Sequence, residues 1–468
     1  MPAEAIPPID TGIDTEALGE LVAVVGRPNA VLDPDVRAAS EVDWTGRFRG
    51  ATPVVLRPGD TAQVAAIIGV CRRFGIRVVP QGGNTGLVGG GVPMHGEVVV
   101  SLRRLDTIQP VDRTARQVTV GAGATLAGVR AAAHTAGLAY AVDLGARDTA
   151  TVGGMIATNA GGINLLRHGG TREQLLGVEA VLGNGDTISH LGGLAKDNTG
   201  YHLASLLCGS EGTLGIVTAA RLRLISRHDH RVTALLACAD VHAAVDAVAQ
   251  LRGQLDDLEA AELFLETGLA LVCEAFDLRQ PFPHEHAVYL LVEVAGLTDP
   301  TDALAAAVQR LEGIEDVAVA RDAAGRAALW RYREDHTLAI NTLGPPHKLD
   351  VTVPLDRLAL FIATTPQLVA EVAPSAGTWL FGHVGDGNIH VNITGLEVDD
   401  EHADDAVLRR VAELGGSISA EHGIGTAKKQ WLHLNRTPEE LRAMAAIKHA
   451  LDPDGILNPN TLLPGRFL

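Results

Sequence analysis

Pro80-Gln-Gly-Gly-Asn-Thr-Gly-Leu-Val-Gly-Gly-Gly-Val-Pro93 is the stretch on which the fold of this chain turns. Glycine visits positive φ without penalty and carries no Cβ, so Gly82, Gly83, Gly86, Gly89, Gly90 and Gly91 let successive N–H groups converge on an anion such as a pyrophosphate. An ordinary surface turn is the competing reading. No G-x-G-x-x-G and no Gly-Lys dipeptide occurs in the chain, which disfavours a nicotinamide Rossmann domain and a P-loop.

Two further small-residue runs follow. Asp143-Leu-Gly-Ala-Arg-Asp-Thr-Ala-Thr-Val-Gly-Gly-Met-Ile-Ala-Thr-Asn-Ala-Gly-Gly162 interleaves hydroxyl and amide groups with glycines, and Cys208-Gly-Ser-Glu-Gly-Thr-Leu-Gly-Ile-Val217 is the third. Three such runs in one region are hard to explain as turns. Between them the chain alternates helix and strand patterns. Asp60-Thr61 caps a helix with Val64, Ile67, Ile68 and Cys71 on one face, closed by Gly75 and followed by a strand at Ile76-Arg-Val-Val79. Strands are expected at 97–102, 117–121 and 213–224, a helix from Thr125 to Gly137, and a hairpin at Asn184-Gly185. Past Ser226 the glycine density drops. Strands at 231–238, 259–265, 287–294 and 315–320, with helices at 240–253 and 301–312, predict an antiparallel sheet covered by helices on one face. The domains expected are 1–225, 226–430 and a segment 431–468 that returns to the first, with a helix from Pro438 to Asp452-Pro453.

The chain has 468 residues, 46% of them apolar, enough for several buried cores. A formal charge of −18, from 38 basic and 56 acidic side chains, argues against nucleic acid as a partner. Cys71, Cys208, Cys238 and Cys273 lie far apart and read as buried free thiols, which fits a reducing cytoplasm. The N-terminus lacks the basic start and apolar core of a signal peptide, and no apolar stretch is long enough to span a bilayer, so a cytoplasmic protein is expected. A homodimer is the base-rate assembly.

His383-Val-Gly-Asp-Gly-Asn-Ile-His390 places two imidazoles seven apart, which on one straight strand would face opposite sides; the Gly385–Asn388 turn can fold them onto one site. With Glu421 of Ser-Ala-Glu-His-Gly-Ile-Gly425 they offer N, N and O ligands suited to Zn²⁺ or Mn²⁺. The plain alternative is a core histidine beside a solvated carboxylate. His284, His286, His228 and His230 are expected to be exposed.

The order of Pro-Gln-Gly-Gly-Asn-Thr-Gly, Thr-Val-Gly-Gly-Met-Ile-Ala-Thr-Asn-Ala-Gly-Gly, Gly-Ser-Glu-Gly-Thr-Leu-Gly and Ile456-Leu-Asn-Pro459 resembles the vanillyl-alcohol oxidase and p-cresol methylhydroxylase flavoproteins over nearly the whole chain. The resemblance implies an α+β fold: a two-subdomain FAD-binding domain plus a cap domain for substrate. It implies non-covalent FAD held by Pro80, Gln81, Gly82, Gly83, Asn84, Thr85, Gly86 and Leu87. Further contacts are implied from Asp143, Gly145, Thr149, Gly153, Gly154, Asn159, Gly162, Glu211, Gly212, Ile216 and Asn458. His-x-Gly-Asp-Gly-Asn-x-His followed by Glu-His-Gly-x-Gly is similar to the signature of FAD-dependent D-2-hydroxyacid dehydrogenases. That likeness implies His383, His390 and Glu421 as metal ligands and His422 as the base near the substrate hydroxyl, with hydride passing to flavin.

Arg333 and Thr337 sit four apart on an expected helix, and Lys348 opens an expected strand. An Arg fork and a Lys point charge suit a second, distal carboxylate. With Asn392 they resemble D-2-hydroxyglutarate dehydrogenases, whereas D-lactate and glycolate relatives usually carry an aromatic residue at the place of Lys348. The electron acceptor implied is an electron-transfer flavoprotein or a quinone.

Overall fold

A computed structural model describes residues 12–465, which fall into two compact units. The first unit holds the described residues up to Ala160, Gly170–Ile225 and the chain from His422 onward; the second holds Gly161–Gly169 and Ser226–Glu421. The return to the first unit thus begins at His422, earlier than 431, and Gly161–Gly169 packs with the second unit instead of the first.

The first unit contains two four-stranded sheets. In one, Val55–Leu56, Val98–Ser101 and Val78–Gln81 run parallel, with Ala30–Val31 antiparallel at the edge. In the other, Gln117–Gly121, Gly215–Arg223, Leu175–Leu182 and Thr187–His190 are antiparallel, the last two joined at Asn184-Gly185. The helix Thr61–Phe74 starts where the Asp60 side chain accepts from Gln63 N–H at 2.8 Å and stops at Gly75, φ 65°. It buries Val64, Ile67 and Ile68 completely, each contributing about 1.5–3 kcal/mol. The strand leading into the glycine run extends to Gln81 by pairing with Val98–Ser101, and its start is paired twice with the C-terminal segment: Val78 N–H donates to Ile456 O and Asn458 N–H to Val78 O, both at 2.8 Å. After the helix Pro438–Leu451 the tail is pinned by buried Lys448, whose Nζ donates to Thr213 O and Leu457 O at 2.7 Å and pairs with Asp452.

The second unit is built on a seven-stranded antiparallel sheet in the order Ile314–Ala320, His230–Cys238, Val288–Gly296, Leu258–Leu265, Gly377–His383, Asn388–Thr394, His347–Thr352. Every residue of Val288–Gly296 is buried, so both faces of the sheet are covered, not one as expected. One face carries an apolar cluster of Leu235, Phe264, Leu269, Tyr289, Leu291, Ile340 and Phe381. Among the described residues no helix is long and apolar enough to cross a membrane.

Candidate active site

Register, not sequence spacing, gathers the residues expected to ligate a metal. Cross-strand partners share a sheet face, as do residues two apart on a strand. His383 pairs with Asn388, His390 with Phe381 and with Asp350, and Asn392 with Lys348. Phe264 pairs with Phe381, which brings Glu262 onto the same face. The hairpin that turns at Gly385–Gly387 therefore places His383, His390, Asp350, Lys348, Asn392 and Glu262 on one side of the sheet. At the turn, Gly387 has φ 84° and an added Cβ would lie 2.4 Å from Val353 O, so only glycine fits.

The donors converge. Glu421 Oε1 lies 3.6 Å from His383 Nε2 and 3.8 Å from His390 Nε2, and the two rings are 5.3 Å apart between centroids. Each outer atom has a partner: His383 Nδ1 is 2.6 Å from Glu262 Oε1, His390 Nδ1 is 3.5 Å from Asp350 Oδ1, and Glu421 Oε2 accepts from Gly162 N–H at 2.9 Å. Carboxylates behind histidines whose Nε2 atoms face a third ligand are the arrangement that presents neutral imidazoles to a divalent cation, and the donor set fits one. Asp350 is itself fixed, accepting from Asn388 Nδ2 at 2.8 Å, Ala420 N–H at 3.1 Å and Glu421 N–H at 2.8 Å. Burial opposes a charge on His383, yet Glu262 and then Glu421 outweigh it and raise its pKa well above the usual imidazole value. Burial likewise works against the Glu421 carboxylate, but His383 and His390 bring its pKa down to about 2.

Beside this centre, Arg333 is buried and its Nε donates to Glu262 Oε2 at 2.7 Å, with the guanidinium carbon 4.6 Å from the Phe381 ring centroid. The helix expected to carry both Arg333 and Thr337 is interrupted: Ala323–Glu334 ends at Asp335, and Thr337 lies on a second helix, His336–Asn341. Lys348 Nζ donates to Asn392 Oδ1 at 3.3 Å, while Asn392 Nδ2 is buried without a partner. Burial pushes the Lys348 amine down to about 8. Neither cation is an ordinary surface charge. His422 follows Glu421 and opens the last segment of the first unit.

In the first unit the glycine run is shaped from both sides. Arg103 Nε and Nη2 donate to the carbonyls of Gly82 and Gly83 at 3.2 and 2.9 Å. The Gln81 amide donates to Ser40 O and Gly91 O, and Asn84, at φ 54°, donates to Ala39 O and Val42 O. Added Cβ atoms would meet Thr151 Oγ1 at 2.2 Å from Gly82 and Thr149 O at 2.1 Å from Gly83, whereas Gly86 and Gly145 face open space. A backbone cradle open on one side, together with a buried Tyr140 hydroxyl that lacks a partner, fits a phosphate-bearing cofactor. Pro80, Thr85 and Leu87 belong to the same run, and Gly153 and Gly154 open the helix Val152–Thr158.

Several residues expected to touch the cofactor also hold the protein together through their side chains. Asp143 pairs with Arg130 at 3.0 Å and Arg147 at 3.3 Å. Asn159 Oδ1 accepts from Arg172 N–H at 3.0 Å. Glu211 accepts from Ile424 N–H at 2.8 Å and Gly425 N–H at 2.7 Å, clamping the loop after His422. Asn458 Nδ2 bridges Gly90 O and Glu211 O, Gly212 abuts the Pro80 ring, and Ile216 is buried. Gly162 belongs to the second unit.

Sequence reasoning missed Glu262, Asp350 and Arg103. The signal for Glu262 was an acid inside Leu258-Glu-Ala-Ala-Glu-Leu-Phe-Leu265, an otherwise apolar strand where each of its two carboxylates must be paired. The expectation of exposed histidines fails for two of the four. His286 Nδ1 meets Glu315 at 2.8 Å with a mostly buried side chain. His228 and His168 share Glu259 Oε1 at 3.3 Å each. Arg167 and Arg231 also pair with Glu259, so this cluster is an ion-pair network whose own cations oppose a metal.

Residues 52–190 match the family described as FAD binding domain, and residues 227–462 match FAD linked oxidases, C-terminal domain. The chain is 38% identical over 434 residues to D-2-hydroxyglutarate dehydrogenase of Xanthomonas citri pv. viticola, covering 90% of this chain and 91% of that protein. It is 33% identical over 467 residues to the mitochondrial D-2-hydroxyglutarate dehydrogenase of Arabidopsis thaliana, covering 98% and 83%. The fold is similar to that of p-cresol methylhydroxylase with substrate bound, at TM-score 0.77 and 16% identity over 96% of this chain and 97% of that one. The chain belongs to the FAD-linked oxidases, in their branch of FAD-dependent D-2-hydroxyacid dehydrogenases.

Proposed function

We propose that the chain oxidises D-2-hydroxyglutarate to 2-oxoglutarate. The observation that carries this choice is the pair of cations beside the His383–His390–Glu421 centre: buried Arg333, held through Nε by Glu262, and Lys348, next to an Asn392 amide nitrogen that is buried without a hydrogen-bond partner among the described residues. An arginine fork, a lysine point charge and a spare amide donor gathered in one place suit a second carboxylate. Both dehydrogenase relatives carry D-2-hydroxyglutarate in their names.

FAD, when bound, would supply the hydride acceptor, and His383, His390 and Glu421 would hold a divalent cation such as Zn²⁺ or Mn²⁺ that would supply Lewis acidity toward the substrate hydroxyl. His422 takes the hydroxyl proton as general base. Arg333, Lys348 and Asn392 bind the distal carboxylate, with Thr337 as a hydroxyl donor, and so fix the Cα relative to the reacting groups. The run Gln81–Gly86 with Gly153 and Gly154 holds the FAD pyrophosphate non-covalently. Reoxidation falls to a separate acceptor, an electron-transfer flavoprotein or a quinone.

Anaerobic mixing of the FAD-loaded chain with D-2-hydroxyglutarate, D-lactate, D-malate and glycolate tests the reading. D-2-hydroxyglutarate is expected to bleach the flavin at the lowest concentration, and a chelator to slow that bleaching until Zn²⁺ or Mn²⁺ is restored. Bleaching by D-lactate as readily as by D-2-hydroxyglutarate overturns the dicarboxylate, and no bleaching by any of them overturns hydroxyacid oxidation.

A further inference from the structure

We infer that Glu262 is a positioning residue that couples the metal centre to the distal-carboxylate clamp, one carboxylate orienting both His383 and Arg333. The inference rests on the function proposed above. Glu262 lies on the strand Leu258–Leu265, is 1% exposed, and faces the site because its neighbour Phe264 pairs with Phe381 across the strands. Its two oxygens are divided: Oε1 stands 2.6 Å from His383 Nδ1, and Oε2 accepts from Arg333 Nε at 2.7 Å.

Each contact has a chemical consequence. The acceptor at Nδ1 keeps the imidazole proton on that side, which leaves the Nε2 lone pair directed to the side where Glu421 Oε1 lies 3.6 Å away. The acceptor at Nε leaves the Nη edge of Arg333 for a ligand carboxylate, while the Phe381 ring, 4.6 Å below the guanidinium, fixes its plane. Because both contacts belong to one rigid carboxylate on a buried strand, neither His383 nor Arg333 can be repositioned without disturbing the other. The second imidazole provides the contrast. His390 is backed by Asp350, whose carboxylate also accepts from Asn388, Ala420 and Glu421. Glu262 is the backing acid that meets an imidazole with one oxygen and Arg333 with the other.

The test uses the full-length FAD-loaded chain. Glu262→Gln keeps the side-chain length but has one acceptor oxygen and turns an NH₂ on one of the two donors. Two readouts are taken: the affinity of chelator-stripped protein for Zn²⁺ or Mn²⁺ by direct titration, and the ratio of kcat/KM for D-2-hydroxyglutarate over D-2-hydroxyvalerate, which replaces the distal carboxylate with a methyl group. Glu262→Gln is expected to weaken metal binding about 10–100-fold and to lower the substrate ratio about tenfold or more. Lys348→Met lowers only the ratio. A merely structural role would reduce flavin content or melting temperature and leave both readouts within about twofold of wild type, and that result overturns the inference, as does movement of only one readout. Should Glu262→Gln fail to retain FAD, Glu262→Asp, charged but too short to reach both partners, carries the same expectation. If wild type shows no preference for D-2-hydroxyglutarate, the proposed substrate fails, and unchanged metal affinity in Glu262→Gln then separately overturns the coupling.

Discussion

Lys348→Met should make the protein more stable and less selective at once. The amine is lowered by burial from 10.5 to about 8, so at pH 7, where both folded and unfolded chains carry the proton, the folded state bears a net desolvation cost. At about 1.4 kcal/mol per tenfold change in proton affinity that cost is roughly 3 kcal/mol. Methionine removes it and fills a similar volume. Against this stands the loss of the Nζ bond to Asn392 Oδ1, about 1–2 kcal/mol including the carbonyl left bare. The net expectation is a gain of roughly 1–2 kcal/mol, or about 2–6 °C in melting temperature for a unit of this size. The sign with pH follows from linkage: because the folded pKa lies below the unfolded one, the unfolded chain binds more protons between about 8 and 10.5, and wild-type stability rises through that window. The difference between variant and wild type should therefore shrink as pH approaches 10. For function, loss of a charged hydrogen bond of about 1.5–3 kcal/mol raises KM for D-2-hydroxyglutarate about 10–100-fold. Melting monitored by flavin fluorescence at pH 7 and pH 10, with steady-state kinetics at pH 7, measures both. A variant that melts below wild type at pH 7, with no narrowing at pH 10, would falsify the reading of Lys348 as a cation held out of water at a net cost.

Other perturbations address the remaining parts. Arg103→Ala frees the Gly82 and Gly83 carbonyls; FAD affinity, read by fluorescence quenching on rebinding to stripped protein, should fall about tenfold, and undiminished affinity would remove Arg103 from the cradle. Gly425→Ala meets both a φ of 55° and a contact of 2.2 Å with Val88 O, whereas Gly415→Ala, at φ 77°, meets open space. The second should cost about 1–2 kcal/mol and the first distinctly more, by thermal melting, and equal losses would mean that the backbone gives way at Val88.

Local physics made much of the chain legible without a structure. The helix capped by Asp60 and closed by Gly75, the Asn184-Gly185 hairpin and the helix begun at Pro438 form where their sequences place them, since caps, turns and apolar faces depend on neighbours a few residues away. The glycine runs were visible for the same reason, because positive φ and close approach are properties of single residues. Boundaries shifted where distant partners intervened. The strand before the first glycine run starts at Val78, paired with Ile456 and Asn458, and extends to Gln81 alongside Ser101, and the helix carrying Arg333 ends at Asp335 before Thr337.

The site followed the same division. From sequence alone came the residue types that matter: three small-residue runs, His383 and His390 flanking a glycine turn, Glu421, and the cations Arg333 and Lys348. Only the tertiary structure decided that a hairpin register puts both imidazoles on one face, and that Glu262, Asp350 and Gly162, distant in sequence, supply their backing. It also showed the Glu211 carboxylate clamping the Ile424–Gly425 loop and drew His228 from the surface into the Glu259 network. The physical reason is that a donor or acceptor is chosen by distance and burial, and those are set by strand order and register, which join residues a hundred or more positions apart and leave no mark in local sequence.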